Sequence, residues 1–191
     1  MGITYIMNKE EYQIIQEGRS ADGAYREMSH WVVTFFEKYF EYIEGPILEI
    51  GCGNGPVLEF LKDKGFNVVG MDISRPSIWH CLNHEKPVAA ICQDAQEPFP
   101  FPDNSFKTVL AFHVLEHAEE PEKITKEINR VLNGNFGGIT PLTEEDDVPY
   151  GHFAKFNGIN GFLSLFSNYE IIKTEEVHHG FLLIANNEKV S

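Results

Sequence analysis

Residues 47–55 read Ile-Leu-Glu-Ile-Gly-Cys-Gly-Asn-Gly, an apolar strand running into three alternating glycines, and a second apolar strand further on ends in an acid, Asp72. Gly51, Gly53 and Gly55 can take backbone angles other residues avoid, and without a Cβ they let main-chain N–H groups approach a ligand. A helix expected over roughly 56–64 points its positive end at the same place. The combination reads as a nucleotide-cofactor site.

Spacing narrows the cofactor. A dinucleotide fingerprint needs G-x-G-x-x-G, whereas here the third glycine comes one residue early and Pro56 occupies the sixth position. That weighs against NAD. A phosphate loop ends in Gly-Lys-Ser/Thr, and the chain contains no such run, so a nucleoside triphosphate is disfavoured. Proton removal at such a site falls naturally to histidine, which titrates near neutrality. Of eight histidines, His113 stands out because it follows the fourth strand, and ligands in open α/β sheets bind outside the carboxyl ends of strands. It serves either as a base or as a wall through its backbone, two readings of equal weight.

The run Glu49-Ile-Gly-Cys-Gly-Asn-Gly55 resembles the first motif of the class I S-adenosylmethionine (SAM)-dependent methyltransferases, and three later segments continue that resemblance in order. Residues 68–74, Val-Val-Gly-Met-Asp-Ile-Ser, carry Asp72 where the family holds the ribose hydroxyls, with Ile73 beside it. Gln93, Asp94 and Ala95 match the motif whose acid and following N–H meet the adenine edge. Residues 99–106, Phe-Pro-Phe-Pro-Asp-Asn-Ser-Phe, then a strand and His113-Val-Leu-Glu-His117, look like the "PFPDNSFD…VLEH" signature of the small-molecule subgroup.

The resemblance implies cofactor contacts by Glu49, Gly51, Cys52, Gly53, Asn54, Gly55, Asp72, Ile73, Asp94, Ala95, Phe112 and His113, with Glu49 beside the methionine ammonium group. It implies a methyl transfer by in-line displacement, in which the protein aligns the acceptor and removes its proton where it carries one. His113 and His152 are the candidate catalytic residues. Residues 149–155, Pro-Tyr-Gly-His-Phe-Ala-Lys, resemble the aromatic-and-His loop that relatives place over the acceptor, so Tyr150 and His152 are candidate acceptor contacts. His117 carries a structural or cofactor-proximal role there, and His178 and His179 read as turn residues.

Two departures from the family pattern stand out. Lys107 replaces an acid, and residues 131–141 are about two residues short of the usual run. The second predicts a stunted or displaced fifth strand, on the acceptor side of the fold.

Period-2 apolar runs alternating with helical patterns give βαβ units. With the resemblance they imply a Rossmann-like, doubly wound, mostly parallel seven-stranded sheet with an antiparallel C-terminal strand and helices on both faces. Strands are expected near 46–50, 67–71, 88–92, 107–112 and 137–140, a hairpin over 169–177 and 180–186, and helices near 56–64, 75–84, 120–132 and 157–167. Apolar residues from Met28 to Ile43 recur at i, i+3, i+4 and i+7, making 24–43 an amphipathic helix that packs on the core. The first twenty residues, with Tyr5 and Tyr12, read as a lid. The whole is one domain: N-terminal lid and helix over 1–45, cofactor-binding core over 46–132, acceptor-side half and hairpin over 133–191.

The 191 residues carry 42% hydrophobic and 13% aromatic side chains, enough for one core. No apolar run reaches the roughly 20 residues of a bilayer span, and no secretory signal opens the chain, so a soluble, cytoplasmic protein is expected. Cys52, Cys81 and Cys92 lack the spacing of a disulfide framework or a zinc site, and no metal is expected. A net charge of −14, from 15 basic against 29 acidic residues, disfavours a nucleic-acid partner. Glu116, Glu119, Glu120 and Glu122 read as a solvated helix face. The run Glu144-Glu-Asp-Asp147 reads as a solvated loop or as a preference for an amine-bearing acceptor.

Three functions stay open: methyl transfer to a small molecule or protein, a SAM-binding regulatory or interaction protein without turnover, and an RNA methyltransferase whose partner subunit supplies the basic surface.

Overall fold

The computed structural model describes residues 28–141, 156, 158–177 and 180–187. Tyr150 and His152, the 144–147 acidic run, the expected lid and His178–His179 lie outside these.

Seven strands form one sheet: β1 (Ile47–Ile50), β2 (Val68–Asp72), β3 (Ala90–Cys92), β4 (Phe106–Phe112), β5 (Leu132–Pro141), β6 (Glu170–Val177) and β7 (Gly180–Asn186), in the order β3-β2-β1-β4-β5-β7-β6. Strands β1 to β5 pair in parallel, whereas β7 runs antiparallel to both β5 and β6. The connections β1–β2, β2–β3 and β4–β5 each pass through a helix, the usual way of joining parallel neighbours, whereas β3 reaches β4 through a helix-free segment.

Among the described residues five helices flank the sheet: α1 (His30–Tyr39), α2 (Pro56–Asp63), α3 (Arg75–Asn83), α4 (Pro121–Val131) and α5 (Gly158–Ser164). The first four starts have a local cause. Ser29 and Ser74 cap α1 and α3 through their hydroxyls, and prolines stand in the first turns of α2, α3 and α4. The helices separate by face because strand side chains alternate. Leu110 and Phe112 of β4 join α1, α2 and α3 in one core, with Phe35, Leu58 and Ile78 among its members. Val109 and Ala111 join α4 and α5 in the other, with Ile128 and Phe162.

The fifth strand corrects the expectation of a stunted one. It spans ten residues and begins at Leu132, immediately after α4 ends at Val131. Its glycines are contact points rather than loop residues: a Cβ on Gly137 would lie 2.6 Å from the Phe35 ring of α1 and 2.8 Å from Leu110. Elsewhere the differences concern ends. The amphipathic N-terminal helix closes at Tyr39 into a 3-10 turn, Phe40–Tyr42. Strand β3 is three residues long, and α5 stops at Ser164. No described helix is long and apolar enough to cross a membrane.

The segment between α1 and β1 is fastened by Thr108, which is fully buried in β4. Its hydroxyl donates to the Glu44 carbonyl at 2.7 Å and accepts from the Glu44 N–H at 2.9 Å. Thr108→Val keeps the shape and orphans both groups, so unfolding should cost about 2 kcal/mol less, lowering the melting temperature by roughly 4–8 °C. A melting curve that does not move would show that water serves Glu44 equally well.

Candidate functional site

The carboxyl ends of β1, β2 and β4 surround a cavity of about 430 Å³. The sheet order explains its position, since β1 and β4 are neighbours and the connections leaving them run to helices on opposite faces of the sheet, opening a crevice between their carboxyl ends.

The glycine loop forms its floor. Gly51, Gly53 and Gly55 all have positive φ, +70°, +52° and +86°. Around Gly53 a Cβ would meet nothing within 4 Å, so this turn presents bare backbone to open space, whereas a Cβ on Gly51 would strike Val114 at 2.5 Å. Gly51, Cys52, Gly53 and Asn54 line the cavity. Gly55 sits just behind them and is not among the lining residues. It is the left-handed cap of α2, packed so closely against α3 that a Cβ would sit 2.9 Å from the Cys81 sulfur.

Asp72 locks this floor to β2. Its Oδ2 accepts from the Gly53 N–H at 2.9 Å and its Oδ1 from the Ser74 N–H at 2.8 Å. Burial raises the Asp72 carboxyl above its ordinary range while these two N–H groups pull it back. Each oxygen retains a further lone pair, and the side chain faces the cavity.

Glu49 lies in β1 at 3% exposure, and its Oε2 has no hydrogen-bond partner. Burial first, then the neighbouring Cys81 and Asp72, push its carboxyl well above the usual range. Asn54, 4% exposed, likewise leaves both amide atoms unpartnered. Buried polar atoms of this kind call for a partner. Here two such side chains border one cavity. The Cys52 thiol is held well above its ordinary pKa by the Cys81 thiol and by burial, so it is a packing group rather than a nucleophile.

Ile73, Asp94, Ala95, Phe112 and His113 complete the expected set along the wall. Asp94 turns its own loop by accepting the Gln96 N–H at 3.0 Å. His113 is one of two described non-glycine residues with positive φ, at +56°, and its N–H extends the β4–β5 ladder to the Ile139 carbonyl at 2.9 Å.

Several lining residues escaped the sequence reading. Met28, Ser29 and Val32 at the α1 start border the cavity, so the helix, for which packing is the favoured reading over closure on the cofactor, also walls the site. Val32 recurs with core spacing, and that spacing hid its second contact. Glu116 corrects a further expectation: it is not on a solvated face but 1% exposed, within a 3-10 turn, Leu115–His117. His113 Nδ1 stands 3.4 Å from its Oε1.

Comparison with known proteins gives a consistent result. Residues 48–135 match the family model described as a methyltransferase domain. The sterol 24-C-methyltransferase ERG6B of Gibberella zeae is 31% identical over 155 residues, covering 72% of this chain and 41% of that one. A "probable S-adenosylmethionine-dependent methyltransferase" of Mycobacterium tuberculosis is 28% identical over 139 residues, 73% of this chain and 49% of its own. The chain thus spans less than half the length of either relative. Among solved structures, 1,6-didemethyltoxoflavin-N1-methyltransferase of Burkholderia thailandensis, with its substrate and S-adenosylhomocysteine bound, shares the fold at a TM-score of 0.71 and 14% identity, over 98% of this chain and 94% of that one.

Proposed function

We propose that this chain, which belongs to the class I SAM-dependent methyltransferases, binds SAM in the cavity above β1, β2 and β4 and transfers its methyl group to a small molecule. The observation that carries this reading is the buried Glu49 carboxyl group, whose Oε2 lacks a partner, beside a glycine turn open to the same space. A ligand with an ammonium group satisfies the first, and one that needs close backbone approach satisfies the second.

In this reading Glu49 takes the ammonium group, with the Asn54 amide beside it. Asp72 takes the ribose hydroxyls on its remaining lone pairs, and Asp94 with Ala95 meets the adenine edge. Gly51, Cys52, Gly53, Ile73, Phe112 and His113 supply the wall. SAM brings a methyl group already activated by its sulfonium, so the chain need only align an acceptor and accept its proton. In this reading His113 accepts that proton, with His152 the second candidate, and Tyr150 and His152 are assigned to the acceptor side. An amine-bearing acceptor suits the acidic run at 144–147 and the charge of −14. Protein remains a second acceptor class, and an RNA acceptor would require a basic partner subunit. The reading without turnover loses one of its supports, because β5 is full length.

Calorimetric titration with SAM, S-adenosylhomocysteine and NAD in parallel tests the proposal. Micromolar binding of both adenosyl ligands and none of NAD is expected; failure of SAM and its product to bind would overturn it. Asp72→Ala removes the ribose acceptor and releases the Gly53 N–H, so SAM affinity should fall about tenfold or more. Unchanged affinity would exclude Asp72 from the ribose.

A further inference from the structure

Resting on the placement of His113 at the methyl-transfer site, we propose that Glu116 is a positioning residue: its buried carboxylate holds His113 in the Nδ1–H form and so presents Nε2 to the cavity as the proton acceptor. Three observations converge. Glu116 is 1% exposed with Oε1 lacking a hydrogen-bond partner, although burying a carboxylate is costly unless donors reach it. The Nδ1 of His113 lies 3.4 Å from that same oxygen. The other oxygen is steadied from across the sheet, where the Thr140 hydroxyl of β5 donates to Oε2 at 3.5 Å and is itself buried.

The backbone supports the same conclusion. His113 adopts a positive φ of +56° at the end of β4, a conformation with a steric cost that persists where the surroundings dictate it. The turn brings the ring to the cavity wall and to Glu116, three residues on, at once. The contact is within reach but not aimed as a hydrogen bond. A turn of the ring that points Nδ1–H at Oε1, with closure of about half an ångström, completes it, the kind of realignment that catalytic contacts undergo when ligands arrive. A ring nitrogen bound by a carboxylate fixes the tautomer and leaves the opposite nitrogen basic. The arrangement explains why an acid in this turn is buried rather than solvated.

Nitrogen-15 NMR of the His113 ring, in the protein alone at a pH where the ring is neutral, reads the tautomer directly and needs neither SAM nor an acceptor. The Nδ1–H form should predominate, against the preference of a free imidazole for Nε2–H. Glu116→Met, similar in length but with no oxygen to accept from Nδ1–H, should invert that ratio, and Glu116→Asp, which withdraws the carboxylate by one methylene, should shift it part way. A predominant Nε2–H form in the wild type overturns the proposal whatever the variants do, and so does an unmoved ratio in a folded Glu116→Met. SAM titration of the same samples reports separately on the cofactor reading, so either idea can fail alone.

Discussion

Glu49→Gln should weaken SAM binding by about a hundredfold, since removing one member of a buried charge pair costs roughly 2–5 kcal/mol, yet it should make the ligand-free protein more stable. The two effects have one cause. Without ligand the carboxylate is buried beside an open cavity and lacks a partner for Oε2. Burial, with smaller contributions from Cys81 and Asp72, raises its pKa well above the ordinary 4.5 in the folded protein. The folded state therefore binds this proton more tightly than the unfolded chain does. The resulting stabilisation is fully present below the unfolded value and is lost as pH rises through the raised one. Glutamine has no proton to lose, so the variant's advantage in melting temperature should grow as pH climbs from about 4.5 upward. Melting curves across that range, with and without SAM, measure both halves. A variant that binds SAM as tightly as the wild type would remove Glu49 from the ammonium site.

Arg130→Ala should destabilise the fold by about 3 kcal/mol, the largest loss expected from a partly exposed side chain here. Arg130 sits in the last turn of α4 and donates to the Phe99 carbonyl at 2.9 Å, the Phe101 carbonyl at 2.8 Å, Asp103 at 2.9 Å and Glu127 at 2.7 Å. Glu127 in turn accepts the Phe99 N–H at 2.8 Å. The Phe-Pro-Phe-Pro-Asp signature is thus a strap that one guanidinium holds against α4. The Arg130 hydrogen bond is the first cause holding the Glu127 carboxyl below its ordinary range. A depressed carboxylate stabilises above its unfolded pKa and loses that contribution as pH falls through the folded one. The difference between wild type and variant should accordingly shrink in acid. Denaturant curves at pH 7 and pH 4 test this, and equal stability at pH 7 would mean that the strap is held by its phenylalanines alone.

The glycine loop, Asp72 and the parallel strands were legible because each depends on nearby residues: angles open to glycine, strand periodicity, caps. The fifth strand was not. Asn133, Gly134, Gly137 and Gly138 have low intrinsic strand preference, and what makes them a strand is Phe35 arriving over Gly137 and the stacked Phe136–Phe166 pair on the other face. Glu116 was misread for the same reason. Buried, it meets Thr140, 24 positions away, and no local charge pattern announces that. Gly55 matched the motif, but its lack of a side chain serves the contact with Cys81 rather than the cavity. Arg130 also passed unnoticed, since the carbonyls it holds lie 29 and 31 positions back.

The interior position of β7 governs how the molecule is made. Every described residue lining the cavity precedes position 125, so the cofactor half leaves the ribosome first. Strand β5 then emerges with its Phe136–Ile139 edge open, and its neighbour β7 is synthesised nearly forty residues later, after β6 has already passed. During that interval the nascent chain carries a bare, apolar strand edge, the feature most prone to adventitious pairing. Aggregation of translation intermediates should therefore peak in chains arrested between β5 and β7, and chaperone capture should be strongest over the same window.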